Sequence, residues 1–201
     1  IRIGYYKTLV SDVIEYVYLW DKNVAISSLS YLDYRGDTYM NVGRLTTEGI
    51  ELEAHGAIGK KFFLSGNFTY MRGRQTASYE AIDTVKSEGN HVQLYANGGF
   101  VDAADIHTSG LTRRPVTANI SITYSPSTKV FFKSILKYVS KKNDIYYDYT
   151  LGPYGALGNT PVQAYTLVDL ISGVKFNENI SGLVRVENIF SISYSEIRGY
   201  S

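Results

Sequence analysis

Apolar and polar residues alternate along two long stretches of this chain, which limits the folds open to it. One side of residues 61–70 carries large apolar side chains: Phe62, Leu64, Phe68 and Tyr70. The other side carries polar ones: Ser65, Asn67 and Thr69. Residues 116–125 repeat the pattern from Val116 to Ser125. Since successive side chains of a strand point to opposite faces, both stretches are predicted to be strands with one apolar and one polar face.

The alternation suits a sheet in water as well as a sheet in a membrane, so it does not identify the solvent. The length of the stretches favours the membrane. We predict about seven strands, at 4–19, 39–56, 61–74, 114–125, 129–141, 162–176 and 180–189. Strands of soluble sheets most often have about five or six residues, whereas a strand that crosses a bilayer at a tilt needs about ten.

Short and long connections alternate along the chain. The short ones, at 57–60, 126–128 and 177–179, carry Gly, Pro or Asn, which are typical of tight turns. The long ones are at 20–38, 75–113 and 142–161. The two kinds therefore fall at opposite ends of an antiparallel up-and-down sheet, which is the layout of an outer-membrane β-barrel.

The second long connection contains a smaller hairpin signal. Residues 91–95 and 100–101 flank an Asn-Gly pair at 97–98. Asn-Gly favours a two-residue hairpin turn, so a short hairpin is predicted there.

About seven strands are too few to close a barrel on their own. Single-chain bacterial barrels usually have an even number of strands and start at about eight, and an open sheet leaves two unpaired edges. We therefore expect the chain to be a segment of a larger barrel. The chain starts and stops in mid-pattern, which agrees with this expectation.

Composition excludes several classes of function. With 20 Lys and Arg against 19 Asp and Glu, a net charge of +1 gives no reason to expect a nucleic acid partner. The absence of cysteine excludes disulfides and thiolate metal sites. The sequence has no run of about 18 apolar residues, so no transmembrane helix is predicted. The 19 tyrosines favour strands that end at a membrane interface or a wet binding surface, where the ring is in apolar material and the hydroxyl in water.

Three motifs occur in a fixed order along the chain. Residues 41–53 read Asn-Val-Gly-Arg-Leu-Thr-Thr-Glu-Gly-Ile-Glu-Leu-Glu and contain a Gly-x-Glu-x-Glu core. Residues 113–115, Arg-Arg-Pro, open a strand after a long loop. Residues 186–200 hold a strand that ends in Asn-Ile-Phe, followed by a Tyr and a Gly-Tyr. Together they resemble the C-terminal barrel of TonB-dependent outer-membrane receptors, and the last stretch is most similar to cobalamin and siderophore receptors.

This resemblance implies a large barrel of the roughly 22-stranded type in the outer membrane of a Gram-negative bacterium. Residues 1–201 would be part of one β-barrel domain, with the last strand and the N-terminal plug domain outside this chain. The implied function is TonB-dependent active uptake of a scarce nutrient, such as siderophore-bound iron or cobalamin. The implied partners are outer-membrane lipid, the plug domain of the same parent chain, the TonB complex and a small chelate or cofactor as ligand.

Charged residues on the predicted strands indicate which face lines the barrel interior. The predicted polar wall of the lumen comprises Glu51, Glu53, Lys133, Lys137, Asp169, Arg185 and Glu187. A Lys or Arg against lipid at the bilayer midplane costs about 2–4 kcal/mol, so these side chains should point into water. The alternate positions are predicted to face lipid: Phe132, Leu136, Tyr138, Val168, Leu170, Val174, Val184 and Val186.

Tyrosines are concentrated in the third long connection, at the predicted outer end of the barrel: Tyr146, Tyr147, Tyr149 and Tyr154. Rigid aromatic side chains on loops make good contact surfaces for bulky ligands, so these four are candidate ligand-binding residues. The alternative is that they form an interfacial girdle or pack within the loop.

No arrangement of residues in the sequence indicates catalysis. Glu51 and Glu53 alternate on one strand, and the lining of a wet lumen explains them better than acid–base chemistry. His55, His91 and His107 lack the spacing of metal ligands, and no nucleophile elbow accompanies a Ser-His-Asp order. We expect neither an enzyme nor a cofactor or metal site.

Two other classes of protein share the strand pattern. A passive outer-membrane porin has the same alternation but no plug domain. A soluble β-sandwich or lipocalin-like binding module buries its apolar face inside a compact protein. The burial of Phe132, Leu136, Val168 and Val184 distinguishes the membrane from the soluble class.

Overall fold

The computed structural model describes residues 1–21, 23–24, 28, 30–77, 90–91, 94–96, 99–101, 114–151 and 156–197. The strands are β1 (Arg2–Trp20), β2 (Tyr34–Ile58), β3 (Phe62–Ala77), β4 (Asn90–His91), β5 (Leu94–Ala96), β6 (Gly99–Val101), β7 (Val116–Tyr124), β8 (Val130–Val139), β9 (Lys142–Asp148), β10 (Ala156–Val162), β11 (Tyr165–Lys175) and β12 (Ser181–Val186). A 3₁₀ helix at Tyr31–Asp33 precedes β2. Within the described ranges, no helix is long and apolar enough to cross a membrane.

Seven of these strands form one antiparallel sheet in the order β12-β11-β8-β7-β3-β2-β1. Among these seven, strands that are consecutive in the chain order β1, β2, β3, β7, β8, β11, β12 lie side by side, which makes the sheet an up-and-down meander. The predicted all-β antiparallel architecture is confirmed, and the strand ends lie within a few residues of the predicted ones. The two-residue strand β4 extends the sheet beside the end of β1, opposite Leu19 and Trp20.

The short connections lie together at one end of the sheet, as predicted. Between β2 and β3, Gly59 has a φ of +63°, a left-handed conformation that glycine adopts without a steric penalty. Between β11 and β12, the side-chain oxygen of Asn177 accepts hydrogen bonds from the backbone N–H groups of Asn179 and Ile180, both at 2.9 Å. Such Asx interactions are why asparagine favours turns.

The prediction of an open loop at 142–161 was wrong. In the structure, β9 and β10 form an antiparallel hairpin from Lys142 opposite Val162 to Asp148 opposite Ala156. The segment has few aliphatic residues, which hid its strands from a search for apolar alternation. Its tyrosines and isoleucine nevertheless have high strand propensity, so the hairpin forms on backbone pairing and aromatic packing. The predicted start of the second strand, at residue 39, was also too late, because β2 begins at Tyr34.

The small hairpin predicted in the second long connection is confirmed in part. β5 and β6 pair antiparallel, with Leu94 opposite Val101 and Ala96 opposite Gly99. Residues 97–98, which were predicted to form its turn, lie outside the described residues. His91 was predicted to belong to the first strand of this hairpin, but it pairs with Leu19 at the end of β1 instead.

Between β1 and β2, an ion pair joins the two strand ends. Arg35 Nη2 lies 2.5 Å from Asp21 Oδ2, and the backbone N–H of Asn23 donates to Asp21 Oδ1 at 2.8 Å. The Asn23 hydrogen bond and, after it, the Arg35 guanidinium hold the pKa of the Asp21 carboxyl below its usual value. These contacts tie the residue after the end of β1 to the start of β2.

The apolar face of the sheet is not covered by another layer of the described chain. Val184 is 66% exposed, Phe132 49% and Leu136 38%, while Val168 is partly exposed. The buried apolar residues in the described ranges are Met71, Val139, Val162 and Tyr165, which lie toward the long-connection end of the sheet. The described residues therefore do not bury this apolar face as the two sheets of a soluble sandwich would.

Candidate functional site

The predicted wall residues of β2 and β8 share one face of the sheet. Glu53 is opposite Asn67, Asn67 is opposite Asn119, and Asn119 is opposite Lys137. Because directly opposed residues of paired strands point to the same side, this row places Glu53 and Lys137 on one face. Asn119 Nδ2 donates to Asn67 Oδ1 at 2.9 Å in the middle of the row. We call this side of the sheet the polar face; Glu51 lies on it as well, two positions from Glu53.

The remaining predicted wall residues form an ion-pair cluster on the same face. Arg185 Nη2 lies 2.7 Å from Glu187 Oε1 and 3.5 Å from Asp169 Oδ2. Asp169 is opposite Ile135, which lies midway between Lys133 and Lys137 on β8. The structure therefore brings these three charged residues together, as neighbours of the β8 lysines. Exposed pairs of this kind contribute up to about 1 kcal/mol each, so the cluster mainly sets the charge of the surface.

The polar face also carries aromatic side chains over glycines, which the sequence analysis missed. Phe131 is directly opposite Gly173, and a Cβ added at Gly173 would overlap its ring. Tyr6 is directly opposite Gly49, and its hydroxyl lies 2.6 Å from the position of an added Cβ. A glycine inside a strand is the signal for such a close approach. The first glycine of the Gly-x-Glu-x-Glu core is therefore required by packing.

The opposite side of the sheet, which we call the apolar face, carries the residues predicted to contact lipid. Leu136, for example, is opposite both Val168 and Ile120. Toward the long connections, this apolar surface ends in a row of charges: Lys7, Glu48 and Arg72. The side chains of this face therefore change from apolar to charged at that row.

Arg114 fastens several segments together at the long-connection end of the sheet. Its side chain is only 6% exposed. Nη1 donates to the carbonyl oxygens of Ser140 at 2.8 Å and Gln163 at 2.9 Å, and Nη2 donates to that of Ser195 at 2.8 Å. These carbonyls belong to the end of β8, the end of the β9–β10 hairpin and the segment after β12. Sequence analysis singled out this arginine as part of a motif but did not predict its contacts.

An acidic and an aromatic side chain complete this arrangement, which we call the Arg114 clamp. Arg114 Nε lies 3.5 Å from Glu196 Oε2, and the Tyr165 hydroxyl donates to Glu196 Oε1. The Tyr165 ring lies 5.6 Å from Arg114 Cζ and 4.3 Å from the ring of Tyr194. The clamp therefore gives the β9–β10 hairpin a fixed base on the sheet.

The candidate tyrosines of the third connection have different surroundings. Tyr146 on β9 is opposite Gly158, and its ring lies where a side chain at Gly158 would be, so it packs within the hairpin. Tyr149 follows β9 and is 84% exposed. The backbone of Tyr147 pairs with Leu157, and its side chain lies outside the described residues, as does all of Tyr154. Tyr149 is thus the described member best placed to contact a ligand.

The described residues offer no group of three or more His, Cys, Asp or Glu placed to hold a metal ion. His55 lies beside Phe63, with 6.5 Å between the ring centroids.

Comparison with known proteins places this fold in a family. Residues 1–189 match the family model described as TonB dependent receptor-like, beta-barrel. A search of curated protein sequences gave no match.

Solved structures with a similar fold agree with the family model. The siderophore receptor PiuA from Acinetobacter baumannii is 20% identical with a TM-score of 0.54, over 78% of this chain and 19% of that one. The ferripyoverdine receptor of the outer membrane of Pseudomonas aeruginosa is 15% identical with a TM-score of 0.56, over 96% of this chain and 21% of that one. The copper transporter OprC is 15% identical with a TM-score of 0.57, over 96% of this chain and 23% of that one.

The chain spans about a fifth of the length of these similar structures, so its seven-stranded meander corresponds to a portion of a larger transmembrane barrel. The match to the family model covers nearly the whole chain, and the antiparallel meander agrees with it. The chain therefore belongs to the TonB-dependent receptor-like β-barrel family.

Proposed function

We propose that this chain is part of the barrel of an outer-membrane receptor that takes up a scarce nutrient by TonB-dependent active transport. The observation that carries the proposal is a meander of long strands whose apolar face stays exposed while its other face is charged. A wall with hydrocarbon on one side and water on the other satisfies both faces. Membership of the receptor-like barrel family supports the same function.

In this proposal, the apolar face contacts the outer-membrane lipid of a Gram-negative bacterium and the polar face lines the lumen. Glu51, Glu53 and the Asp169–Arg185–Glu187 cluster then face an N-terminal plug domain of the same parent chain. The TonB complex of the inner membrane acts on that plug to open a path. The barrel itself supplies a wall and capture loops and performs no covalent chemistry.

The β9–β10 hairpin is proposed to take part in ligand capture at the outer end. Tyr149, at the tip of the hairpin, is the main candidate, with Tyr146, Tyr147 and Tyr154 as neighbours in sequence. The Arg114 clamp supports this role, because a hairpin with a fixed base presents its tip in a defined position. The similar structures are named for siderophores and for copper, so the fold does not select one cargo. A siderophore-bound iron, cobalamin or a similar chelate is the proposed class.

Uptake measurements in cells test this proposal. The full-length protein would be produced in a Gram-negative strain that lacks its own receptors, and accumulation of labelled ferric siderophores and cobalamin would be measured with and without functional TonB. We expect uptake that depends on TonB. Equal entry in both strains would identify a passive channel instead, and recovery of the protein in the soluble fraction would contradict the membrane location.

A further inference from the structure

Three lysines are spaced four residues apart, one just before β8 and two within it. They are Lys129, Lys133 and Lys137, and Lys141 continues the spacing in the sequence just beyond the strand. Because side chains alternate along a strand, an even spacing keeps all of them on one side. From Lys129 to Lys137 the row extends for about 26 Å along the strand, which at a tilt of about 40° corresponds to about 20 Å of the roughly 30 Å bilayer core. We call Lys129, Lys133 and Lys137 the lysine row.

The register places this row on the polar face. Lys133 is opposite Thr123 on β7 and Ile171 on β11, and Lys137 is opposite Asn119 and Leu167 in the same way. Neither flanking strand thus sets a carboxylate directly against these lysines. Lys137 Nζ instead lies 6.0 Å from the centre of the Tyr165 ring.

At the short-turn end, the row opens into a basic depression. Lys175 N–H donates to the Lys129 carbonyl at 2.7 Å, so the two residues are neighbours at the ends of β11 and β8. Both line a depression of about 590 Å³ together with Lys61 and Phe131. Lys61, Lys129 and Lys175 therefore continue the positive charge of the row to the short-turn end of the sheet.

The carboxylates nearest to the row are already engaged by arginines. Asp169 and Glu187 pair with Arg185, and Glu196 pairs with Arg114. Within the part of the chain that the structure describes, none of the lysines of the row lies within 4.0 Å of a carboxylate oxygen. Arg185 offsets only one of its two carboxylates, so that cluster keeps one net negative charge against the three positive charges of the row. The excess positive charge attracts anions, most strongly inside a narrow cavity with low-dielectric walls.

We propose that the lysine row is a selectivity track that makes this receptor prefer anionic chelates over neutral ones. The inference rests on the proposed uptake function, because it requires the polar face to line the transport path. Rings and rows of Lys or Arg give pores their preference for anions in the same way. The row extends along nearly the whole of β8, from the short-turn end to Lys137 beside the Tyr165 ring, so it acts on a chelate along the path that follows capture by the outer loops.

A charge-matched panel of chelates tests the proposal. The full-length receptor would be compared with K133Q/K137Q for uptake of an anionic ferric tris-catecholate, anionic ferric citrate, a neutral ferric trihydroxamate and neutral cobalamin. We expect the wild type to take up an anionic member of the panel and the double variant to take it up roughly tenfold more slowly. K133R/K137R keeps both charges and should restore the rate, while R72Q/R74Q removes two cations from the other face and should leave it unchanged.

The outcomes separate this proposal from the proposed function. TonB-dependent uptake of neutral chelates alone by the wild type would overturn the lysine track and leave the receptor function intact. An equal fall for anionic and neutral chelates in K133Q/K137Q would also overturn it, because the lysines would then serve a structural contact, such as one with acidic plug residues. Heat-modifiable gel migration reports whether the barrel is folded. Its loss in K133Q/K137Q would likewise show that the lysines serve a structural contact, and would overturn the lysine track. No TonB-dependent uptake of any chelate would contradict the proposed function itself.

Discussion

The ring of Phe131 on β8 occupies the space in which a side chain at Gly173 on β11 would lie. The two residues are direct cross-strand partners on the polar face, and even a single methyl group at Gly173 would overlap the ring. Tight contacts of this kind tolerate added volume poorly, since a closely packed site must move its neighbours to accept it.

Replacement of Gly173 with alanine should therefore destabilise the receptor by about 1–3 kcal/mol. Urea unfolding of the full-length protein in lipid vesicles measures the change. In F131A/G173A the ring is absent, so the added methyl should cost much less than it does in G173A alone. Gly56→Ala is the control, because nothing lies within 4 Å of the added Cβ there. Equal losses for Gly56 and Gly173 would contradict the packing argument.

Replacement of Arg114 with lysine should loosen the third connection. A lysine ammonium cannot reach the carbonyls of Ser140, Gln163 and Ser195 together, whereas the planar guanidinium does. Several charged hydrogen bonds at a buried site are lost, so we expect a loss of about 3 kcal/mol. Limited proteolysis should show faster cleavage within 142–162. Arg72→Lys, at an exposed position, is the matched control, and equal protease sensitivity in both variants would exclude a role for the clamp.

Replacement of Asn188 tests the third sequence motif. Asn188 has a φ of +47°, and its side chain exchanges two hydrogen bonds of 2.9 Å with the backbone of Ile192. Alanine loses both bonds and disfavours the left-handed conformation, so N188A should lower stability by about 1–2 kcal/mol. N188G retains the backbone freedom and should fall between the wild type and N188A. A thermal unfolding series that ranks glycine below alanine would show that the conformation does not matter.

A positive charge should impair membrane insertion far more on the apolar face than on the polar face. Leu136→Arg puts a cation on the apolar face and should cost about 2–4 kcal/mol if that face meets hydrocarbon. Thr123→Arg puts the same cation on the polar face, opposite Lys133, and should cost much less. The measurement is the yield of folded, membrane-inserted receptor. Equal yields from the two variants would contradict the assignment of faces.

Removal of the Tyr149 ring should weaken ligand capture without affecting the fold. The side chain is 84% exposed, so Tyr149→Ala should leave thermal unfolding unchanged. If the tip of the β9–β10 hairpin contacts the chelate, affinity should fall by about 1–2 kcal/mol, the usual effect of a contact aromatic residue. Equilibrium binding of the chelate that the wild type takes up provides the measurement. Unchanged affinity would favour an interfacial or packing role for these tyrosines.

Much of the architecture was predictable because the dominant interactions are periodic. The alternation of β3 and β7 follows from contact with different solvents on two faces, and that constraint is visible at each residue. The turn after Lys175 was predictable for another reason, since Asn177 makes its hydrogen bonds to residues two and three positions away. Local chemistry of this kind is contained in the sequence.

The contacts that the sequence did not reveal join residues far apart in the chain. Arg114 and Ser195 are 81 positions apart, and nothing near Arg114 indicates which carbonyl oxygens it will reach. The β9–β10 hairpin is held by backbone pairing and aromatic packing rather than by an apolar face, so it left no alternation to detect. The lysine row was visible as a spacing, but its excess of positive charge depends on Arg185 and Arg114 pairing with the nearby carboxylates.

The glycines under Tyr6 and Phe131 also bear on how the barrel assembles. Backbone hydrogen bonds alone allow neighbouring strands to slide, and a slip of one residue would turn every lumen side chain toward the lipid. In the observed register both rings lie over a glycine, whereas a slip of one residue would set each ring against a position that carries a side chain, so Gly49 and Gly173 favour the native alignment. The contacts that pack the folded wall at these two positions are therefore also contacts that a wrongly paired strand would lack.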